Sequence, residues 1–169
     1  MAATTQPEAV EKLNELIKDI KIAMLTTMDD TDGTLRSRPM VTQDAEFDGI
    51  LWFFTSSMSA TSDEIQHDRD VNVSYADHGK MRYVSVSGKA LLVRDRKKME
   101  EYWNPALKAW FPDGLETKDL ALLQVKPVKA EYWDSPSGKF VQLVGLVKAL
   151  ATGQRYDGEG SENEKLNLQ

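Results

Sequence analysis

IAMLTTM at 22–28, LRSRPMVT at 35–42, ILWFFT at 50–55, VNVSY at 71–75 and YVSVSGKALLV at 83–93 are five short runs rich in aliphatic, aromatic and β-branched residues. Turn-forming pieces such as Asp29-Asp30-Thr31-Asp32-Gly33 separate them, so this stretch predicts consecutive antiparallel strands that close into a barrel. Upstream, Val10, Leu13, Ile17 and Ile20 recur at helical spacing behind a start made by Thr5, Pro7 and Glu8. Between the third and fourth runs, Thr61-Ser62-Asp63-Glu64 has capping-box spacing and leads into Ile65, which predicts a short helix there.

Beyond the fifth run, Asp95 caps a helix carrying Met99, Tyr102 and Trp103. Asn104-Pro105 opens a second short helix through Ala106 to Phe111, stopped by Pro112 and Gly114. The strand pattern resumes at Leu120–Val125 and Val128–Trp133, with Pro127 as an interruption that a central strand would tolerate badly. Phe140, Leu143, Val144, Val147 and Leu150 make the segment from Phe140 to about Ala151 a helix that is apolar on more than one side, suited to a subunit interface. The expectation is a mainly β fold with peripheral helices, one domain over 1–152, and a loose acidic tail over 153–169.

Composition narrows the chemistry. The 169 residues hold 41% hydrophobic and 28% charged residues, enough apolar material for a core. With no cysteine and only His67 and His78, thiolate catalysis, iron–sulfur clusters and a zinc site are excluded or improbable, and no metal is expected. A formal net charge of -6 disfavours nucleic acid and anionic membranes as partners. Met1–Pro7 lacks the regions of a secretion signal and no apolar run reaches the roughly 20 residues of a membrane span, so the cytoplasm is the expected location. No P-loop, Gly-x-Gly-x-x-Gly, His-Glu-x-x-His or Gly-x-Ser-x-Gly motif occurs.

Two stretches could hold an anion. In Leu35-Arg36-Ser37-Arg38-Pro39-Met40 the side chains of Arg36 and Arg38 fall on one strand face, where they either grip an anion such as phosphate or stand solvated. Thr55-Ser56-Ser57-Met58-Ser59-Ala60-Thr61 leaves a strand and enters a helix, so its hydroxyls and free N–H groups could converge on the same anion, although Asp63 and Glu64 would repel it. Trp52, Phe53, Phe54, Trp103, Trp110, Phe111 and Trp133 are either core or a stacking surface for a planar ring.

Leu35 to Met40 and Trp52-Phe53-Phe54-Thr55, followed by Ser62-Asp63-Glu64-Ile65, Val71-Asn72-Val73-Ser74-Tyr75-Ala76-Asp77, Val84-Ser85-Val86-Ser87-Gly88 and Glu131-Tyr132-Trp133-Asp134-Ser135-Pro136-Ser137-Gly138, resemble in order and spacing the general stress proteins of the pyridoxamine phosphate oxidase-like, FMN-binding split-barrel superfamily. The resemblance covers roughly Ile20 to Ala149. It implies a six-stranded antiparallel split barrel, a homodimer, and FMN, or FAD or another flavin, in clefts between the subunits. It assigns Arg36, Ser37, Arg38, Pro39, Met40, Phe54, Thr55, Ser56, Ser59 and Thr61 to the cofactor, with Trp110 and Trp133 bordering the cleft. Relatives often carry a basic residue near Ala60 and Thr61, so hydroxyls would have to substitute for a phosphate cation here. Lys139-Phe140-Val141-Gln142-Leu143 replaces the arginine and histidine cluster of true pyridoxamine phosphate oxidases, which argues against that reaction. What remains is a flavin-dependent oxidoreductase of unknown substrate or a non-catalytic, flavin-sequestering protein.

Overall fold

The structure, a computed structural model, describes residues 6–43, 47–134 and 162–168. Its elements are α1 (Gln6–Ile17), β1 (Ile22–Met28), β2 (Leu35–Val41), β3 (Leu51–Ser56), α2 (Ala60–His67), β4 (Asp70–Asp77), β5 (Arg82–Val93), α3 (Arg96–Tyr102), β6 (Leu120–Asp134) and β7 (Glu162–Asn167), with 3-10 turns at Pro105–Ala109 and Gly114–Glu116. All strand pairings are antiparallel, in the order β2-β1-β4-β5-β6-β3, with β7 added beside β6. The two ends of that path, β2 and β3, approach each other without pairing. This gap is the split of the barrel.

Alternation along each strand sorts the residues into two cores. Leu25, Phe53, Val73, Val86, Leu123 and Tyr132 point inward, and α1 adds Ala9, Leu13 and Leu16. On the other side of β3 and β6, Trp52, Phe54, Leu120 and Leu122 pack under Met99 and Leu107. Asp95 caps α3 by accepting from Lys98 N at 3.1 Å, and Asn104 accepts from Ala106 N at 2.9 Å to start a 3-10 turn where a second helix was expected.

Pro127 does not break the sixth strand. β3 pairs with β6 only over Leu120–Val125 and β7 only over Lys129–Asp134, so Pro127 falls between those partners, where its missing N–H costs no ladder bond to either of them. On its other side it meets Gly88 at a register shift in β5. Gly88 is required there, since a Cβ would lie 2.6 Å from the Lys126 carbonyl oxygen.

A second expectation is also corrected. Instead of staying loose, Glu162–Asn167 pairs with β6, and Leu166 and Leu168 enter the barrel core. Tyr132 donates from its hydroxyl to Glu164 at 2.8 Å. The helix expected over Phe140–Ala151, and the Lys139–Leu143 stretch, lie outside the described residues. Among those described, no helix is long and apolar enough to cross a membrane.

Candidate functional site

β2 presents Arg36, Arg38 and Met40 on one side and Leu35, Ser37 and Pro39 on the other, so the five residues Arg36–Met40 cannot all offer side chains to one ligand. The two arginines do converge, on Glu64 of α2. Arg36 Nη1 lies 3.0 Å from Glu64 Oε1, Arg38 Nη1 lies 2.8 Å from Glu64 Oε2, and the buried Thr27 hydroxyl donates to Oε2 at 2.5 Å. Glu64 is 2% exposed, so its charge is tolerable only because these three donors surround it.

Arg36 also meets Asp29 at 3.0 Å. The Thr31 hydroxyl and backbone N–H, with Arg36 behind them, hold the Asp29 carboxyl below its usual range. Two guanidiniums thus face two carboxylates, and the cluster is formally neutral. The depression beside Arg36, about 400 Å³, is lined by Asp29, Asp30, Asp63 and Glu64 and is a poor place for phosphate.

Arg38 is different. Its side chain is 19% exposed, and Nη1 also donates to Thr61 Oγ1 at 2.8 Å. Its Nη2 is buried and has no hydrogen-bond partner among the described residues. The cation that the sequence lacks near Ala60 and Thr61 is therefore supplied through space by β2, with one donor nitrogen left over.

The hydroxyl-rich loop is organised around the start of α2. The N-cap is Ser59, two residues before the expected start, and its Oγ accepts from Ser62 N at 3.3 Å and donates to Ser56 O at 2.8 Å. Ser62 donates to the same carbonyl at 2.6 Å, and Thr55 Oγ1 sits 3.4 Å from Ser59 Oγ. Ser56 donates to Asp119 and accepts from Met58 N at 3.1 Å. Most of these hydroxyls are committed to the loop itself, so they shape the helix entrance more than they replace a cation.

The other sequence-assigned residues scatter. Met40 is in the barrel core, and Phe54 packs edge-on against Trp103 at 5.4 Å, so only their backbones are open to a ligand. Ser37 lies on the outer face, its Oγ 2.7 Å from Thr26 Oγ1, beside exposed Pro39. Trp133 on β6, 42% exposed, stands opposite Tyr83, and Trp110 is 61% exposed after the Pro105–Ala109 turn. No hydrogen bond or ring contact among the described residues joins either tryptophan to the arginines.

Glu64, Thr27 and Asp29 are the residues that the sequence reading did not assign to the site. A signal for Glu64 exists: Thr61, Glu64 and Ile65 stand at i, i+3 and i+4, the spacing of one buried helix face.

Comparison with known proteins fits this architecture. Protein BLI-3 of Neurospora crassa is 31% identical over 156 residues, covering 87% of this chain and 75% of its own. A protein of Jannaschia assigned as general stress protein 26 shares the fold, with a TM-score of 0.73 and 22% identity over 95% of this chain and 99% of its own. The general stress FMN/FAD binding protein of Xanthomonas citri superposes with a TM-score of 0.66 and 28% identity, covering 78% of this chain and 92% of its own. The profile of the family described as "Pyridoxamine 5'-phosphate oxidase like" matches residues 8–157, and the chain with its split barrel belongs to that family.

Proposed function

We propose that the protein binds a flavin, FMN by preference, as a homodimer, and that the bound flavin makes it an oxidoreductase of the cytoplasm. The observation that carries this reading is the Arg38 Nη2 group, buried and without a partner among the described residues, on a guanidinium already fixed by Glu64 and Thr61 at the entrance to α2. A preorganised ionic donor of this kind suits one phosphate oxygen. The relative from Xanthomonas citri, an FMN/FAD binding protein, supports the choice of ligand.

When bound, a flavin supplies one- and two-electron transfer. The chain's own contribution is position: Arg38 orients the phosphate, Ser56, Ser59 and Thr61 hold the loop beside it, and the backbones of Phe54 and Thr55 flank it. The outer face of β1 and β2, where Ile22, Met24, Met28 and Leu35 are all exposed, supports the homodimer. Trp110 and Trp133 are assigned to the cleft that such pairing would create. A flavin store without turnover is the second reading, favoured because, among the described residues, the carboxylate that Arg38 meets is Glu64, already held by Arg36 and Thr27.

The absorption spectrum of the purified protein tests the ligand, and light scattering tests the dimer. Flavin bands in a particle of twice the chain mass are expected. Colourless protein that leaves FMN fluorescence unquenched at millimolar concentration overturns the proposal. Reduction by NADH or NADPH in stopped flow separates the oxidoreductase from the store.

A further inference from the structure

The split of the barrel opens into a cavity of about 370 Å³, between Thr42 and Gln43 past the end of β2 and Ile50–Phe53 at the start of β3. That volume is within the range of small-molecule sites, roughly 300 to 1,000 Å³. Its walls are aromatic: Phe47, Phe53 and Trp52, the last stacked on Tyr102 at 5.7 Å and 25°. Tyr75 of β4 completes the inner wall and Asn14 of α1 stands over the opening.

Two polar groups of this wall are left unanswered. Tyr75 is 2% exposed, and its hydroxyl has no hydrogen bond among the described residues. Trp52 is 7% exposed, and its Nε1–H is buried without a partner among the described residues. Burying an indole N–H unpaired costs stability that phenylalanine would avoid at position 52. Burial also pushes the Tyr75 phenol well above its usual pKa, so it remains an O–H donor at any ordinary pH. Asn14, Lys18, Lys21, Thr42 and Gln43 make part of the lining polar, while the aromatic walls and the Tyr75 hydroxyl match a flat molecule with an acceptor at its edge.

We propose that the split cavity is a second binding site, separate from Arg38, for a small planar aromatic compound carrying a carbonyl-type acceptor that takes a hydrogen bond from the Tyr75 hydroxyl. The aromatic walls hold the ring plane, and the Tyr75 donor selects for the carbonyl. The site does not depend on the flavin reading, since none of its residues belongs to the arginine cluster.

Coumarin, a bicyclic lactone, is the probe. Binding to the full chain is followed by saturation-transfer NMR and by the rise in melting temperature with ligand concentration. Saturable binding at submillimolar concentration is expected, undisturbed by FMN. Tyr75→Phe should weaken it by about tenfold, the worth of one hydrogen bond in a dry site, while leaving the melting temperature of the ligand-free protein unchanged or raised. Asn14→Trp, which fills the opening from α1, should abolish binding with the circular dichroism spectrum retained. No saturable binding to the wild type overturns the proposal. Equal affinity in Tyr75→Phe also overturns it, as does a ligand-free Tyr75→Phe protein that melts several degrees lower, because the hydroxyl would then serve the fold through internal water.

Discussion

On the inner side of β1 and β2, Leu25 and Met40 sit in the barrel core, Thr27 and Arg38 meet Glu64, and the charges cancel. On the outer side of the same two strands, Ile22, Met24, Met28 and Leu35 meet water, and Thr26 meets Ser37 side chain to side chain. The strands share one backbone and one ladder, so propensity cannot explain the contrast. The inner face is completed by this chain, whereas the outer face is left exposed. Arg38 stands at the border, satisfied at Nη1 and, among the described residues, buried without a partner at Nη2.

The contrast can be broken most severely from within. Phe53→Ala, at a fully buried inner position, should cost about 3 to 5 kcal/mol in urea unfolding. A loss below 1 kcal/mol would mean that the barrel interior is not the main core. Next in size, Arg38→Ala leaves the Glu64 carboxylate buried with Arg36 and Thr27 alone and should cost about 3 kcal/mol. Adding Glu64→Gln to that variant should recover at least half of the loss. If the double variant is no more stable than the single one, the cluster is not a compensated buried charge.

Outer-face changes should act on assembly instead. Met24→Ser with Leu35→Ser should alter monomer unfolding by about 0.5 kcal/mol or less, as exposed sites do, yet shift the sedimenting species from dimer toward monomer. An unchanged association state would remove the outer face from the interface. The smallest effect concerns pH. Asp29 has a folded-state pKa below its usual 3.8, so its contribution stands above that value and is lost as pH falls through the lower, folded one. Asp29→Asn should lower stability slightly at neutral pH, where that contribution is fully present, and converge with the wild type below about pH 4, which flattens the acid limb of the stability curve.

Much of the architecture was readable because strands announce themselves by alternation, as in VNVSY at 71–75. Two parts were not. Pro127 reads as a breaker until the partners of β6 are known, and whether a missing N–H matters depends on which strand lies beside it. Glu162–Asn167 reads as loose because five of its six residues are charged or amide-bearing, but an added strand needs few apolar anchors, and Leu166 with Leu168 suffice. In the site, the arginine pair was visible at period two, whereas its counter-charge lies a strand and a loop away on α2. Local spacing carries no record of such a pairing.

The connectivity of β6 has a consequence for the order in which the chain is made. β3 leaves the ribosome with Leu51, Trp52, Phe53 and Phe54 in a row, and its ladder partner is complete only when Leu120–Val125 has followed. Throughout that interval an apolar strand waits with both edges bare, an invitation to pair with another nascent chain. Chains that stop before Leu120 therefore have a sticky strand and no means of covering it, and premature termination in this gene should yield aggregates rather than smaller folded barrels.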